Sequence, residues 1–191
     1  CNGDNSSCET VEDIDGNQYG TVVIGDQLWM KENLKVTHYN NGDEIDCSDY
    51  DNDPSNSEIY GRLYDSYAVD DDRGICPEGY TVPSDSDFKD LEIFLGMSSS
   101  EVNNTGWRGE NQGSKLAGNS DLWNDGNLEN NSEFGLSGFN ALPSGYNHLD
   151  GNSHNLGNYA SFLTSTAYGR DLAHSRSDIE RWEMNVDNSG S

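Results

Sequence analysis

Residues 75–96 read ICPEGYTVPSDSDFKDLEIFLG. This stretch holds the clearest helix signal of the chain. Ser84 is a good N-cap, and Asp87 three residues on completes a capping-box-like start, although Glu or Gln is the usual partner. Pro83, just before the cap, favours an extended approach. Phe88, Leu91, Phe94 and Leu95 recur at helical spacing, which predicts one apolar face over 85–95. Gly96 supplies the stop.

Working outward, residues 10–34 (TVEDIDGNQYGTVVIGDQLWMKENL) carry turn signals at Asp15-Gly16 and Gly25-Asp26. Between them Tyr19 to Ile24 is rich in β-branched residues, and Gln27 to Lys31 follows as a second short strand. This is hairpin patterning. Asp13 and Asp15 are read as shaping the Asp-Gly turn, and Trp29 as holding the hairpin to the helix. Asn41-Gly42 marks another turn. Residues 47–58 (CSDYDNDPSNSE) read as a polar acidic loop, and 60–69 (YGRLYDSYAV) as a dense aromatic stripe. Trp29, Leu34, Tyr60, Leu63, Tyr64 and Tyr67 are assigned mostly to the core.

A weaker helix is expected near Asn111–Ala117. The region 103–135 is rich in Asn and Gly and reads as a long loop pinned by Trp107 and Trp123. Three short strand candidates follow: Gly138–Pro143, Ala160–Ala167 and Arg181–Val186. No repeat of constant period and no βαβ alternation occurs. The architecture that follows is α+β, with a short antiparallel or mixed sheet, one or two helices and long loops.

The chain has 191 residues, which suits one domain over 10–191 preceded by a flexible tether over 1–9. Ten basic residues against 35 acidic ones leave a formal charge of -25. That excludes nucleic acid as a partner, because phosphate binding is driven by cationic neutralisation. Hydrophobic residues make up only 32%, so the four Trp, ten Tyr and five Phe must supply much of the buried area. Cys1 opens a polar leader (CNGDNSSCET), the pattern that lipoprotein processing leaves behind. The expectation is a lipid anchor on Cys1 and an outer-membrane or cell-surface location. No CxxC and no zinc-ligand spacing occurs.

Four motifs, in order and spacing, carry a resemblance: residues 13–35 (DIDGNQYGTVVIGDQLWMKENLK), 60–69, 75–96 and 137–146 (SGFNALPSGY). Together they resemble the Fibrobacter succinogenes major paralogous domain, a family of exported and surface lipoproteins. The resemblance implies a C-type lectin-like fold. It also implies a final strand with a cysteine partner for Cys76, where this chain reads Ser189-Gly190-Ser191. Within that frame Cys8–Cys47 is the expected disulfide, with Cys47–Cys76 as the alternative.

For function, no GxSxG elbow frames a serine, and no carboxylate pair stands out among the 35 acids. The chain is read as a noncatalytic binding protein. Tyr146, His148 and His154 lie in a glycine- and asparagine-rich segment. Arg170, His174, Arg176 and Trp182 form a cationic and aromatic cluster in an otherwise acidic chain. Such side chains suit sugar faces and protein hot spots, so the expected partner is a glycan or an envelope protein. The alternative is a structural subunit of an outer-membrane complex, with an extracellular enzyme a distant third. Asp49, Asp51 and Asp53, with Glu58, follow the alternation that opens a calcium loop, which makes calcium the candidate cation. Position six is Pro54 rather than glycine, and no Glu stands at position twelve.

Overall fold

The computed structural model describes residues 10–148 and 151–184. The tether, the anchor at Cys1, the Cys8 half of the expected disulfide and the final-strand question lie outside these residues. Strands β1 (Thr10–Glu12), β2 (Gln18–Ile24) and β3 (Gln27–Met30) form an antiparallel sheet in that order. Asp13 builds the first turn: its Oδ1 accepts the backbone N–H of Asp15 and of Asn17, each at 3.0 Å. Its Oδ2 accepts the hydroxyl of Tyr19 at 2.6 Å, so the turn is locked to a fully buried ring. Gly25, at φ +63°, supplies the left-handed position of the two-residue turn between β2 and β3.

Next come β4 (Cys47–Ser48), α1 (Pro54–Tyr60), β5 (Leu63–Tyr64) and α2 (Ser66–Val69). Helix α3 (Asp85–Phe94) follows, then β6 (Gly106–Arg108) and α4 (Gln112–Leu116). The chain continues through β7 (Tyr146–Asn147), β8 (Ser153–His154), β9 (Tyr159–Leu163), β10 (Tyr168–Ala173) and β11 (Ile179–Glu183).

The mixed α+β class holds, but the helix count does not. The described residues contain four α-helices, not one or two. Segment 47–58 was expected to be loop, yet α1 starts within it. The Asp53 carboxylate caps the Ser55 N–H, and Pro54 takes the first helical position, where its missing N–H costs nothing. Helix α2 starts the same way, with Asp65 accepting from Ala68. Both begin on cap chemistry without an apolar stripe, so hydrophobic periodicity does not reveal them. Gly138–Pro143 is not a strand; its one ladder contact is an isolated bridge from Ala141 to Ala117.

Helix α3 forms as its cap predicts. Ser84 Oγ and the Asp87 carboxylate exchange both bonds of the capping box. Its buried face differs from the expectation. Phe88 and Leu91 are buried, followed by Leu95 in the cap, but Phe94 is 63% exposed and lies over Gly25. The remaining inward positions are Asp85 and Glu92. Two core clusters result. The larger joins α3 to the C-terminal sheet and to Trp29, Trp123 and Phe139. The smaller gathers Val36, Tyr39, Ile45, Ala68 and Ile75, with Tyr64, Cys47 and Cys76 packed against it. Tyr67, assigned to the core, is 84% exposed instead.

The candidate binding face and groove

Strands β6, β11, β10 and β9 form a four-stranded antiparallel sheet in that spatial order. Successive side chains of a strand point to opposite faces, so the register sorts every residue. Arg170 lies opposite Arg181 and Phe162, and Ile179 lies opposite Arg108. With Leu172, these belong to the face turned toward α3. Asp171 lies opposite Ser161 and Glu180, Gly169 opposite Trp182, and Glu180 opposite Trp107. These belong to the outer face.

The inner face is an ionic network in the core. Glu92 is fully buried and accepts Arg108 Nη2 and Arg170 Nε, both at 2.6 Å. Asp85 accepts Arg170 Nη2 at 2.9 Å and Arg181 through Nε and Nη2 at 2.8 and 2.9 Å. Lys89, one turn on, pairs with Asp85 at 2.8 Å. The Arg181 guanidinium also lies 3.5 Å from the centre of the Tyr168 ring. Burial pulls the Asp85 carboxyl upward, but hydrogen bonds from Arg181, Lys89 and Arg170 outweigh it and hold it well below the usual carboxylate range. Desolvation draws the Arg108 guanidinium below its ordinary value, and its Nε has no hydrogen-bond partner.

Arg170 was therefore misassigned as a binding residue. It is fully buried and belongs to this network. Grouping it with Trp182 by closeness in sequence ignored the two-residue period that sends them to opposite faces.

The outer face is half-buried and differs in composition. The Trp182 indole lies flat on the strand at Gly169, where an added Cβ would come within 2.3 Å of the ring. Its Nε1–H donates to Asp171 at 3.0 Å. Burial pushes the Asp171 carboxyl above its ordinary value. Burial also raises that of Glu180, with the Asp171 charge opposite adding to it. Arg176 forms a two-point pair with Asp178 and sits 4.7 Å from the Trp107 ring centre. Tyr146 meets Tyr159 edge to face at 6.5 Å, which extends the aromatic row toward β7.

Beside this face lies a groove of about 1120 Å³. Tyr146, Ser161, Asp171 and Trp182 border it from one side; β3, β5 and residues 79–83 border it from the other. The aromatic rings of Trp29, Phe88, Phe139 and Phe162 form a closed cycle there, with neighbouring centroids 5.3–6.2 Å apart.

Of the sequence-predicted binding residues, Tyr146 and Trp182 meet at this groove, and Arg176 stands on the outer face. His148 and His154 sit on the β7–β8 hairpin with their rings 5.8 Å apart. His174 belongs to a loop anchor instead: its carbonyl accepts the Leu128 N–H at 3.0 Å, and its Nδ1 lies 3.3 Å from the Asp125 carbonyl. Sequence reading missed Asp171, Tyr159 and Trp107 as a group. Alternation applied across 106–108, 159–163, 168–173 and 179–183 would have found them.

Two of the four candidate calcium ligands are engaged elsewhere, and the other two are exposed. Asp49 pairs with Arg62 at 2.8 Å and accepts the Ser57 hydroxyl. Asp53 caps α1, while Asp51 and Glu58 are exposed. Among the described residues no three His, Cys, Asp or Glu side chains converge as a metal group. Cys47 and Cys76 are free thiols, so the Cys47–Cys76 alternative is not formed. Burial pushes the Cys76 thiol up to about 11 and raises Cys47 as well, which leaves both poorly nucleophilic at neutral pH. No helix among the described residues is long and apolar enough to cross a membrane.

Comparison with curated proteins returned no match, and comparison with solved structures returned none either. Residues 22–189 match the family model of the Fibrobacter succinogenes major domain (Fib_succ_major). That match takes in the last three motifs whole, the first from Val22 onward, and most of the chain, and the chain therefore belongs to the Fibrobacter succinogenes major domain family.

Proposed function

We propose that the chain is a noncatalytic surface binding module that holds a glycan against the outer face of its C-terminal sheet. The observation that carries this reading is the Trp182 platform. An indole lies flat over Gly169, is fixed by Asp171, and borders an open groove with Tyr146 and Ser161. Sugars present C–H faces that stack on aromatic rings and hydroxyls that need acceptors at the ring edge. A ring fixed by packing and a hydrogen bond loses little entropy on binding. Asp171 and Ser161 supply the polar edge, and Tyr146 and Tyr159 extend the stacking surface.

The lectin-like fold and an outer-membrane or cell-surface location through a lipid anchor on Cys1 belong to the same proposal. The family membership supports both. Intact mass of native, membrane-extracted protein tests the anchor; an unmodified N-terminal cysteine there would rule it out. Glycan-array binding tests the site. Binding should be present in the parent protein and lost in both Trp182→Ala and Tyr146→Ala. Binding retained in both variants would rule out the platform.

A further inference from the structure

Consecutive residues, rather than alternate ones, line the groove along β3. Every residue from Gln27 through Leu34 borders it. A strand seen face-on contributes alternate residues to a cavity, so an unbroken run means that the cavity follows the strand's edge. β3 is the last strand of its sheet, and among the described residues no strand pairs with this edge.

The direction of its backbone groups follows from the register. The two-residue turn makes Ile24–Gln27 a hydrogen-bonded pair, and alternation makes Val22–Trp29 the next. Lys31 continues the pattern, donating its N–H to the Gly20 carbonyl at 2.9 Å. The N–H and C=O of Leu28 and Met30 therefore point away from β2 and toward the groove. No described residue hydrogen-bonds to them there.

On the other border β9 is last in its own sheet, and its outer edge is bridged by Gly145 at Ala160 but continues past that bridge to Leu163. The Gly145 N–H reaches the Tyr159 carbonyl at 2.9 Å, so the odd-numbered residues of β9 turn their backbone groups away from β10. Leu163 is one of them, and it too lines the groove. Met30, Leu34, Val82 and Phe162 make the space between apolar. Carboxylates at Glu32, Asp46, Asp65 and Asp87 stand along it, whereas its basic residues are Lys31 and Arg62, the latter held by Asp49.

We infer that this groove is a docking slot for an extended, cationic segment of a partner protein, with apolar residues at alternate positions, that adds as a strand to the free edge of β3. Strand addition takes its affinity from main-chain hydrogen bonds and its specificity from alternate side chains. The acidic border selects a basic segment. A second copy of this chain fits poorly, because two chains of charge -25 repel. The inference uses the β3 edge together with Leu163 and Phe162 of β9, and does not use the Trp182 platform of the same groove on which the glycan reading turns.

The test uses a nine-residue peptide of alternating lysine and valine, titrated into the protein. Backbone amide exchange is followed by NMR, and binding by polarisation of a labelled peptide. The expected result is saturable binding with exchange at Leu28 and Met30 slowed by about tenfold or more. The same peptide N-methylated at alternate residues should bind about tenfold more weakly or worse, since one lost hydrogen bond of about 1.4 kcal/mol is a factor of ten. A glutamate–valine peptide should not bind. The inference is overturned by unchanged exchange at Leu28 and Met30, by equal binding of the N-methylated or glutamate peptide, or by no binding at all. Protection of the same amides by concentration-dependent dimerisation without peptide would also overturn it, in favour of a second copy.

Discussion

The two faces of the C-terminal sheet are made from alternate residues of the same strands, yet they do opposite things with charge. On the inner face Arg108, Arg170 and Arg181 are driven into the core and matched to Glu92 and Asp85. On the outer face Asp171 and Glu180 stand opposite each other among Trp107, Trp182 and Tyr159. The inner charges are satisfied by partners within the fold. The outer carboxylates retain like-charge opposition, which costs stability and leaves acceptors at the surface. Adjacent positions, Arg170 beside Asp171 and Arg181 beside Trp182, thus divide between the buried ionic network and the half-buried outer face.

The sharpest way to break this contrast is to remove Glu92. Both of its oxygens accept from arginines that have no water to turn to. Glu92→Ala should destabilise the protein by about 3–5 kcal/mol in urea unfolding, because an uncompensated buried charge remains. A loss below about 1 kcal/mol would mean that the inner network adds little beyond a solvated pair.

The next largest effect should come from Gly169→Ala. The new methyl would occupy the indole's place, and overpacking of this kind costs about 1–3 kcal/mol. The near-UV circular dichroism of Trp182 should change, and glycan binding should fall with it. An unchanged spectrum would show that the ring does not rest on the strand as described.

Acidity separates the faces more gently. The Asp85 carboxyl is held below its unfolded value, so its stabilising contribution is complete above about pH 4 and is lost only as pH falls through the lower folded value. Asp171 and Glu180 are raised. Their charged forms oppose folding at neutral pH, and the opposition is relieved as pH falls through their elevated values. Asp171→Asn should therefore be more stable than the parent at pH 7 by about 0.2–1 kcal/mol. The difference should shrink as the solution is acidified. A difference independent of pH would contradict the assignment.

How much of this was legible in the sequence differs by element. The β2–β3 hairpin and the start of α3 were readable because local chemistry dictates them: a Gly-Asp turn between β-branched runs and a reciprocal Ser84–Asp87 cap. Helices α1 and α2 were not, because their start depends on Asp53 and Asp65 as caps rather than on a stripe. Phe94 failed because α3 fills part of its inward face with Asp85 and Glu92, which a hydrophobicity reading sends to solvent. Tyr146 and Trp182 were picked by residue type, and both border the groove. Arg170 was mistaken for their neighbour because cationic clustering in sequence was weighed without strand parity. The role of Gly169 was not readable in advance, since it depends on a cross-strand register with Trp182.

The most direct test of the division between faces compares two adjacent substitutions, Arg181→Ala and Trp182→Ala, by urea unfolding and by glycan-array binding under conditions where both are folded. The account predicts that Arg181→Ala loses more stability while its folded fraction still binds, and that Trp182→Ala stays closer to the parent in stability while binding disappears. Loss of binding in the arginine variant with retention in the tryptophan variant, or no glycan signal from the parent protein, would contradict it.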